Sequence, residues 1–110
     1  MAINVFVLDD EVDLCEIFDE FFSSEDVHIR TFTNPDEAIA ACHKTTPDIF
    51  FIDYRLPNTT GDKVALAVDK NIPKILLTGD LSVNAEYKFD KIMSKPYQFS
   101  DIQLELDKYL

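Results

Sequence analysis

The run Asp48-Ile49-Phe50-Phe51-Ile52-Asp53 constrains this chain more than any other stretch, because four large apolar residues in a row end on a carboxylate. A short unbroken apolar run between turn residues fits a strand buried on both faces, and Thr46-Pro47 and Pro57-Asn58 supply the turns. Asp53 then sits at a strand's carboxyl end, the edge of an open parallel α/β sheet where ligands bind. Taken alone, it could equally be a strand-end Asp that caps a loop.

The rest of the chain repeats the pattern. Residues 3–8 (INVFVL) form a second apolar run that ends on Asp9-Asp10-Glu11. Leu14, Cys15, Ile17, Phe18, Phe21 and Phe22 then recur at helical spacing over residues 11–23. Residues 27–32 (VHIRTF) alternate in polarity as an edge strand does, with His28 and Arg30 facing outward. Asn34-Pro35-Asp36-Glu37 carries an N-cap residue, a first-turn proline and an acid three residues after the cap, which opens a second helix to about residue 44. Residues 54–60 read as loop and 61–70 as a third helix. Residues 74–78 (KILLT) are a fourth strand, 89–94 a mixed and therefore edge strand, and 98–109 a last helix with Phe99, Ile102, Leu106 and Tyr109 on one face.

Five strands alternating with helices predict a parallel sheet covered on both sides, with right-handed crossovers. Placing the three most apolar strands at the centre gives the order 2-1-3-4-5, a flavodoxin-like (βα)5 doubly wound arrangement whose switch point lies between the first and third strands. Asp9, Asp10 and Asp53 all fall there. At 110 residues, 46% hydrophobic with nine Phe, the chain is expected to be a single domain, 1–110, without an output domain. It has no apolar run of membrane-spanning length and no secretory signal, so it is expected to be cytoplasmic. Cys15 and Cys42 read as buried thiols. The formal charge of −11 disfavours direct nucleic-acid binding and anionic membranes and favours a protein partner.

Three carboxylates at adjoining strand ends repel: a unit-charge pair about 4 Å apart costs roughly 4 kcal/mol at an effective dielectric near 20. A cation among them, or protonation of one, relieves this. Mg²⁺ is the natural candidate, since it takes one or two carboxylates together with waters and phosphate oxygens. Thr78 and Lys95, at the ends of the fourth and fifth strands, add a hydroxyl and an ammonium suited to a tetrahedral oxyanion on Asp53. The set describes phosphoryl transfer to a carboxylate. Each member has a plainer role open to it: Asp9 or Asp10 as a helix cap, Thr78 as a partner for backbone, Lys95 as a solvated edge residue.

The segments LDDE after the first strand, FIDYRLPNTTG around Asp53, LLTGD at Thr78 and MSKP at Lys95 resemble the receiver domain of two-component response regulators (CheY-like), in order and across essentially the whole chain. The resemblance implies that Asp53 accepts a phosphoryl group from the phosphohistidine of a histidine kinase or phosphotransfer protein. It implies Mg²⁺ ligation by Asp10, Asp53 and the Arg55 carbonyl, with Asp9 acting mainly through water. Thr78 and Lys95 would contact the phosphoryl oxygens, and Lys95-Pro96 would be a cis bond. The chain would catalyse its own phosphorylation, and the modification would switch binding to a downstream protein. Arg55 and Asp80 stand two residues past Asp53 and Thr78, positions that in this family tune the phosphoryl lifetime, and are expected to flank the pocket mouth and pair.

Two departures from the family stand out. Ile92 occupies the position, three before Lys95, where receivers usually carry an aromatic. Only residues 79–88 remain for the crossover between the fourth and fifth strands, so a short or absent fourth helix is expected. Apolar surface uncovered there could form a homodimer or docking face with the last helix. The alternative to a phosphoacceptor is a degenerate receiver serving as an interaction or dimerisation module. A Mg²⁺-dependent phosphatase would need a second acid where Arg55 stands, and a flavin site would need a hydroxyl- or glycine-rich cradle where Asp9-Asp10-Glu11 stands.

Overall fold

Period-two alternation explains why the apolar runs are unbroken. In the computed structural model, which describes residues 2–80 and 87–110, Val5, Val7, Ile49, Phe51, Ile75 and Leu77 pack into one core layer. Their sequence neighbours Phe6, Leu8, Phe50, Ile52 and Leu76 pack into the other. Both faces of these strands are buried, so neither phase can be polar.

The strands are β1 (Ile3–Leu8), β2 (Val27–Phe32), β3 (Ile49–Asp53), β6 (Lys74–Thr78) and β7 (Lys91–Ser94), between which lie α1 (Val12–Phe22), α2 (Pro35–Lys44) and α3 (Gly61–Leu66), with α4 (Phe99–Asp107) last. They form a parallel sheet in the order β2-β1-β3-β6-β7. This is the expected 2-1-3-4-5 order once two short strands, β4 (Arg55–Leu56) and β5 (Thr59–Thr60), are set aside. Helices α2 and α3 contribute Ala38, Ala41, Cys42, Val64 and Ala65 to one layer. Phe18 and Phe22 of α1 and Ile102 and Leu106 of α4 contribute to the other.

Local chemistry sets the element ends. Asn34 Oδ1 accepts the Asp36 and Glu37 backbone N–H groups at 2.8 and 3.1 Å, which starts α2. At the start of α4 the Gln98 N–H donates to Asp101 Oδ2 at 3.4 Å. At the outer edge, His28 and Arg30 are both exposed, and the Arg30 guanidinium lies over the Phe6 and Phe32 rings. Glu105 is 5% exposed and ties α4 to the opposite edge by accepting from Lys91. Burial pushes its carboxyl up, but the Lys108 and Lys91 ammonium groups outweigh this and hold it below its ordinary value.

Three details correct the sequence reading. The residues read as loop after Asp53 contain the β4–β5 hairpin, turned by Pro57 and by Asn58 at φ 62°, the combination a type II turn requires. Helix α3 stops at Leu66 rather than near residue 70: Ala67 N–H tightens onto the Val64 carbonyl, and the Asp69 side chain accepts from Asn71 N–H, giving the backbone a turn instead. Leu66 is consequently exposed, while Val68 and Ile72 are buried. The fifth parallel strand begins at Lys91, not at residue 89, and the Phe89 ring packs edge-on to Tyr87. Of the crossover expected to hold a short or absent fourth helix, residues 81–86 lie outside the described residues.

Candidate functional site at the carboxyl edge of the sheet

Register brings the acids together. Leu8 lies opposite Ile52, so Asp9 and Asp53 are the next positions across the same two strands. By the strand pleat, Asp9 follows the side of Val5 and Val7, Asp53 that of Ile49 and Phe51, and Lys95 that of Met93, all toward the layer of α1 and α4. The side chains meet accordingly. Lys95 Nζ donates to Asp9 Oδ2 at 2.9 Å and lies 3.1 Å from Asp53 Oδ1. Asp9 and Asp53 are 1% and 6% exposed, whereas Asp10 is open to solvent. Ligand oxygens of Asp9, Asp10 and Asp53 all lie within 4.8 Å of one another.

Asp9 does not cap α1, whose cap residue is Glu11 with no side-chain cap; its Oδ1 instead accepts the Glu11 N–H at 2.9 Å in the turn that leads into the helix. One oxygen therefore holds that turn and the other holds Lys95. Thr78 is 3% exposed at the end of β6, and its hydroxyl accepts the Asp80 N–H at 3.0 Å, leaving its own proton for another partner. Asp10, Glu11, Asp53, Arg55, Thr78, Gly79, Asp80 and Lys95 line one cavity of about 380 Å³. The Lys95-Pro96 peptide bond that follows is cis.

Burial and like charge set the electrostatics of this cavity. Burial pushes the Asp53 carboxyl up to about 6, the Asp9 charge adds to it, and Lys95 only partly offsets them. Burial works against the charge on Lys95, but Asp9 and Asp53 outweigh it and hold the ammonium above its ordinary value. One lysine among three carboxylates leaves the cluster net negative. A hard divalent cation fits that donor set, since it would take carboxylate oxygens from Asp10 and Asp53 together with water. The Arg55 and Asp80 side chains pair across the rim, Nη2 to Oδ2 at 3.0 Å and Nε to Oδ1 at 3.3 Å.

Two contributors escaped the sequence reading. Gly61, the first residue of α3, packs so tightly on β3 that a Cβ there would lie 2.5 Å from the Asp53 carbonyl oxygen. Its N–H also donates to the Tyr54 carbonyl at 2.7 Å. A glycine opening a helix reads as permissive in sequence, and only the crossing of α3 over β3 shows the close approach. Tyr97 lines a groove with Lys95, Leu14, Ile17 and Phe99, and burial pushes its phenol up. Gly79, by contrast, has open space where a Cβ would go.

Residues 5–107 match the family model of the response regulator receiver domain. Among curated relatives, the chain is 28% identical over 112 residues to the probable transcriptional regulatory protein TcrX of Mycobacterium tuberculosis, covering 94% of this chain and 48% of that protein. It is 25% identical to the probable transcriptional regulator ycf27 of Guillardia theta, covering 94% and 43%. The chain thus spans about half the length of these relatives. Among solved structures, the response regulator TrrA of Thermotoga maritima, in complex with Mg²⁺ and BeF, superposes with a TM-score of 0.86 at 26% identity over 100% of both chains. The chemotaxis regulator CheY4 of Vibrio cholerae superposes with a TM-score of 0.86 at 20% identity, again over 100% of both. With the family model matched from the first strand to the last helix, this chain belongs to the response regulator receiver domains of two-component signalling.

Proposed function

We propose that Asp53 is the phosphoryl acceptor of a receiver that is charged from a phosphohistidine and read out by protein binding. The observation that carries this reading is the meeting of Asp9, Asp10, Asp53 and Lys95 at adjoining strand ends, with Lys95 Nζ 3.1 Å from Asp53 Oδ1. An Asp53 oxygen attacks phosphorus as the P–N bond to the donor imidazole breaks, and the ring nitrogen leaves carrying the bond's electron pair. Lys95 and Thr78 bind the phosphoryl oxygens, the first as a point charge and the second as a hydroxyl donor. Asp10, Asp53 and the Arg55 carbonyl would hold a Mg²⁺, with Asp9 acting mainly through water, and the ion would neutralise charge that gathers on the transferring group.

The partner that delivers the phosphoryl group docks, in this reading, on the seam between α1 and α4. A groove of about 370 Å³ lined by Leu14, Ile17, Pro96, Tyr97 and Phe99 runs from Lys95 along that seam. Phe21 and Phe99 stack beside it, ring centroids 4.4 Å apart, while 60% and 43% exposed. α1 also carries Asp13, Glu16, Asp19 and Glu20, a negative charge that suits a partner helix with a basic fringe. A downstream protein or a second copy would use the far edge, where Ile92 and Leu104 are 51% and 61% exposed. In this reading the signal leaves as a change in such an affinity.

No helix among the described residues is long and apolar enough to cross a membrane, in keeping with a cytoplasmic place of action. The test is incubation with phosphoramidate, whose P–N bond matches that of phosphohistidine, in Mg²⁺ or in EDTA. Uptake that needs Mg²⁺ is expected. Equal uptake in EDTA rules out the metal's part, and no uptake in either favours a phosphorylation-independent interaction module.

A further inference from the structure

The sheet has a free edge on the side away from β7. Strand β2 ends the order β2-β1-β3-β6-β7, and no strand lies beyond it among the described residues. Ile3 N–H donates to the Asp26 carbonyl at 2.9 Å and Asp9 N–H to the Phe32 carbonyl at 3.0 Å, which fixes the phase of the β1–β2 ladder. Residues 28, 30 and 32 therefore turn their backbone groups toward β1, and residues 27, 29 and 31 turn theirs outward. Val27 is satisfied there, since its N–H and its carbonyl both bond to Ser24. Ile29 and Thr31 keep outward-facing N–H and carbonyl groups, a short template for another strand.

A groove of about 330 Å³ runs beside this edge, lined by Arg30, Phe32, Glu37, Ala40, Ala41 and Lys44. Ala40 and Ala41 are too small to fill the space between α2 and β2. The Arg30 guanidinium lies 5.4 and 5.1 Å from the Phe6 and Phe32 ring centroids, so two rings hold a planar cation in place. Arg30 and Lys44 are exposed, and neither belongs to an ion pair among the described residues. No other lysine or arginine precedes Arg55 in a chain of formal charge −11. The basic charge of the first half of the chain is thus gathered in one groove, with no carboxylate bonded to it.

We propose that the β2 edge and this groove dock an extended acidic segment of a partner protein, paired through its backbone with Ile29 and Thr31 and carrying carboxylates to Arg30 and Lys44. Arg30 and Phe32 line the α2 side of the sheet, whereas Val27 packs into the opposite layer and Ile29 against it. A strand added here alternates likewise, so acids at every second position meet the basic groove and apolar residues between them cover Ile29. Glu37 stands in the first turn of α2 and Lys44 in the last, so the segment's acids belong at the Lys44 end. A second copy of β2 fits poorly, because antiparallel pairing sets the Arg30 groups of both copies on one face, like charge near like. Strand β1 separates the site from β3, and docking needs no phosphoryl group on Asp53.

The experiment is NMR of the unmodified chain, titrated with a capped octapeptide of alternating valine and glutamate and with its valine and lysine counterpart. The glutamate peptide should shift the Ile29 and Thr31 amide signals saturably and slow hydrogen exchange at both, and the lysine peptide should do neither. Lys44→Glu, at an exposed helix end, should weaken binding at least about tenfold, and raising salt from about 0.05 M to about 1 M should weaken it in wild type. Arg30→Lys keeps the charge but gives up the planar fork, and should weaken binding roughly two- to fivefold. Unmoved Ile29 and Thr31 signals overturn the proposal and leave Arg30 as a charge that only guards the edge against pairing. Equal binding of both peptides, or shifts spread over the whole surface, overturn it as well. So does movement of the same amides with protein concentration alone, which means that copies pair through β2.

Discussion

Lys95 Nζ lies 2.9 Å from Asp9 Oδ2, an ion pair between residues 86 positions apart that joins the last parallel strand to the first across the top of the sheet. With Asp53 3.1 Å away on its other side, one ammonium serves two buried carboxylates. Removing it leaves both acids facing each other without a counter-charge. Lys95→Ala is therefore expected to lower stability by about 3 kcal/mol in metal-free buffer, measured by urea unfolding. Added Mg²⁺ should recover part of that loss by binding the folded state. An unchanged midpoint in EDTA would show that the ammonium is not what holds the acids together.

Asp53 is a site where the fold accepts a stability cost. Its carboxyl sits at about 6 against an ordinary 3.8, so between those values the folded chain binds more protons than the unfolded one. Stability from this group consequently falls as pH rises from about 4 to about 6, and the loss is complete above that window. Asp53→Asn removes the dependence. The variant should exceed wild type at neutral pH without metal, by about 1–3 kcal/mol, and the difference should vanish near pH 4. A variant less stable than wild type at neutral pH would contradict the repulsion described here.

The two glycines near the site should respond in opposite ways. A methyl group on Gly61 meets the Asp53 carbonyl oxygen at 2.5 Å, Leu76 Cδ1 at 2.9 Å and Ile52 Cγ2 at 3.1 Å. Backbone cannot yield as a flexible side chain does, so Gly61→Ala should cost about 1–3 kcal/mol and displace Asp53. Gly79→Ala meets nothing within 4 Å and should leave the unfolding midpoint unchanged within about 0.5 kcal/mol. Thermal unfolding of both checks this, and equal effects would contradict the packing of α3 on β3.

Both cysteines should be chemically silent in the folded protein. Cys15 and Cys42 are 4% and 5% exposed, and burial pushes each thiol up to about 11. For Cys15 the Asp9 charge adds to this. Thiolate is the reactive form, so a thiol reagent at neutral pH should label neither residue until denaturant is added. Rapid labelling of native protein would show that one helix face is not packed as described.

The sheet was legible because its central strands are buried on both faces: INVFVL and IFFID cannot be anything that needs a wet side. Asn34-Pro35 likewise announced its helix, since an amide cap and a first-turn proline are local chemistry. The acid pair, Asp53, Thr78 and Lys95 were found because each ends a strand, and parallel strands bring all their ends to one edge. What escaped depends on crossings between elements. The end of α3 at Leu66 is decided by a turn at Asp69 and by Lys74, which is fully buried and donates to the Asp69 and Ile72 carbonyls and to the Tyr87 hydroxyl. A lysine opening a strand reads as exposed, and no sequence period signals that three neutral acceptors await it. Gly61 escaped for the same reason, because only three-dimensional proximity separates it from Gly79.

The account turns on one carboxylate, and the most direct measurement is the intact mass of wild type and Asp53→Asn side by side after incubation with phosphoramidate and Mg²⁺. Wild type should gain one phosphoryl group, and Asp53→Asn, folded and at least as stable, should gain none. Equal modification of both proteins, or a group mapped to another residue, would contradict it.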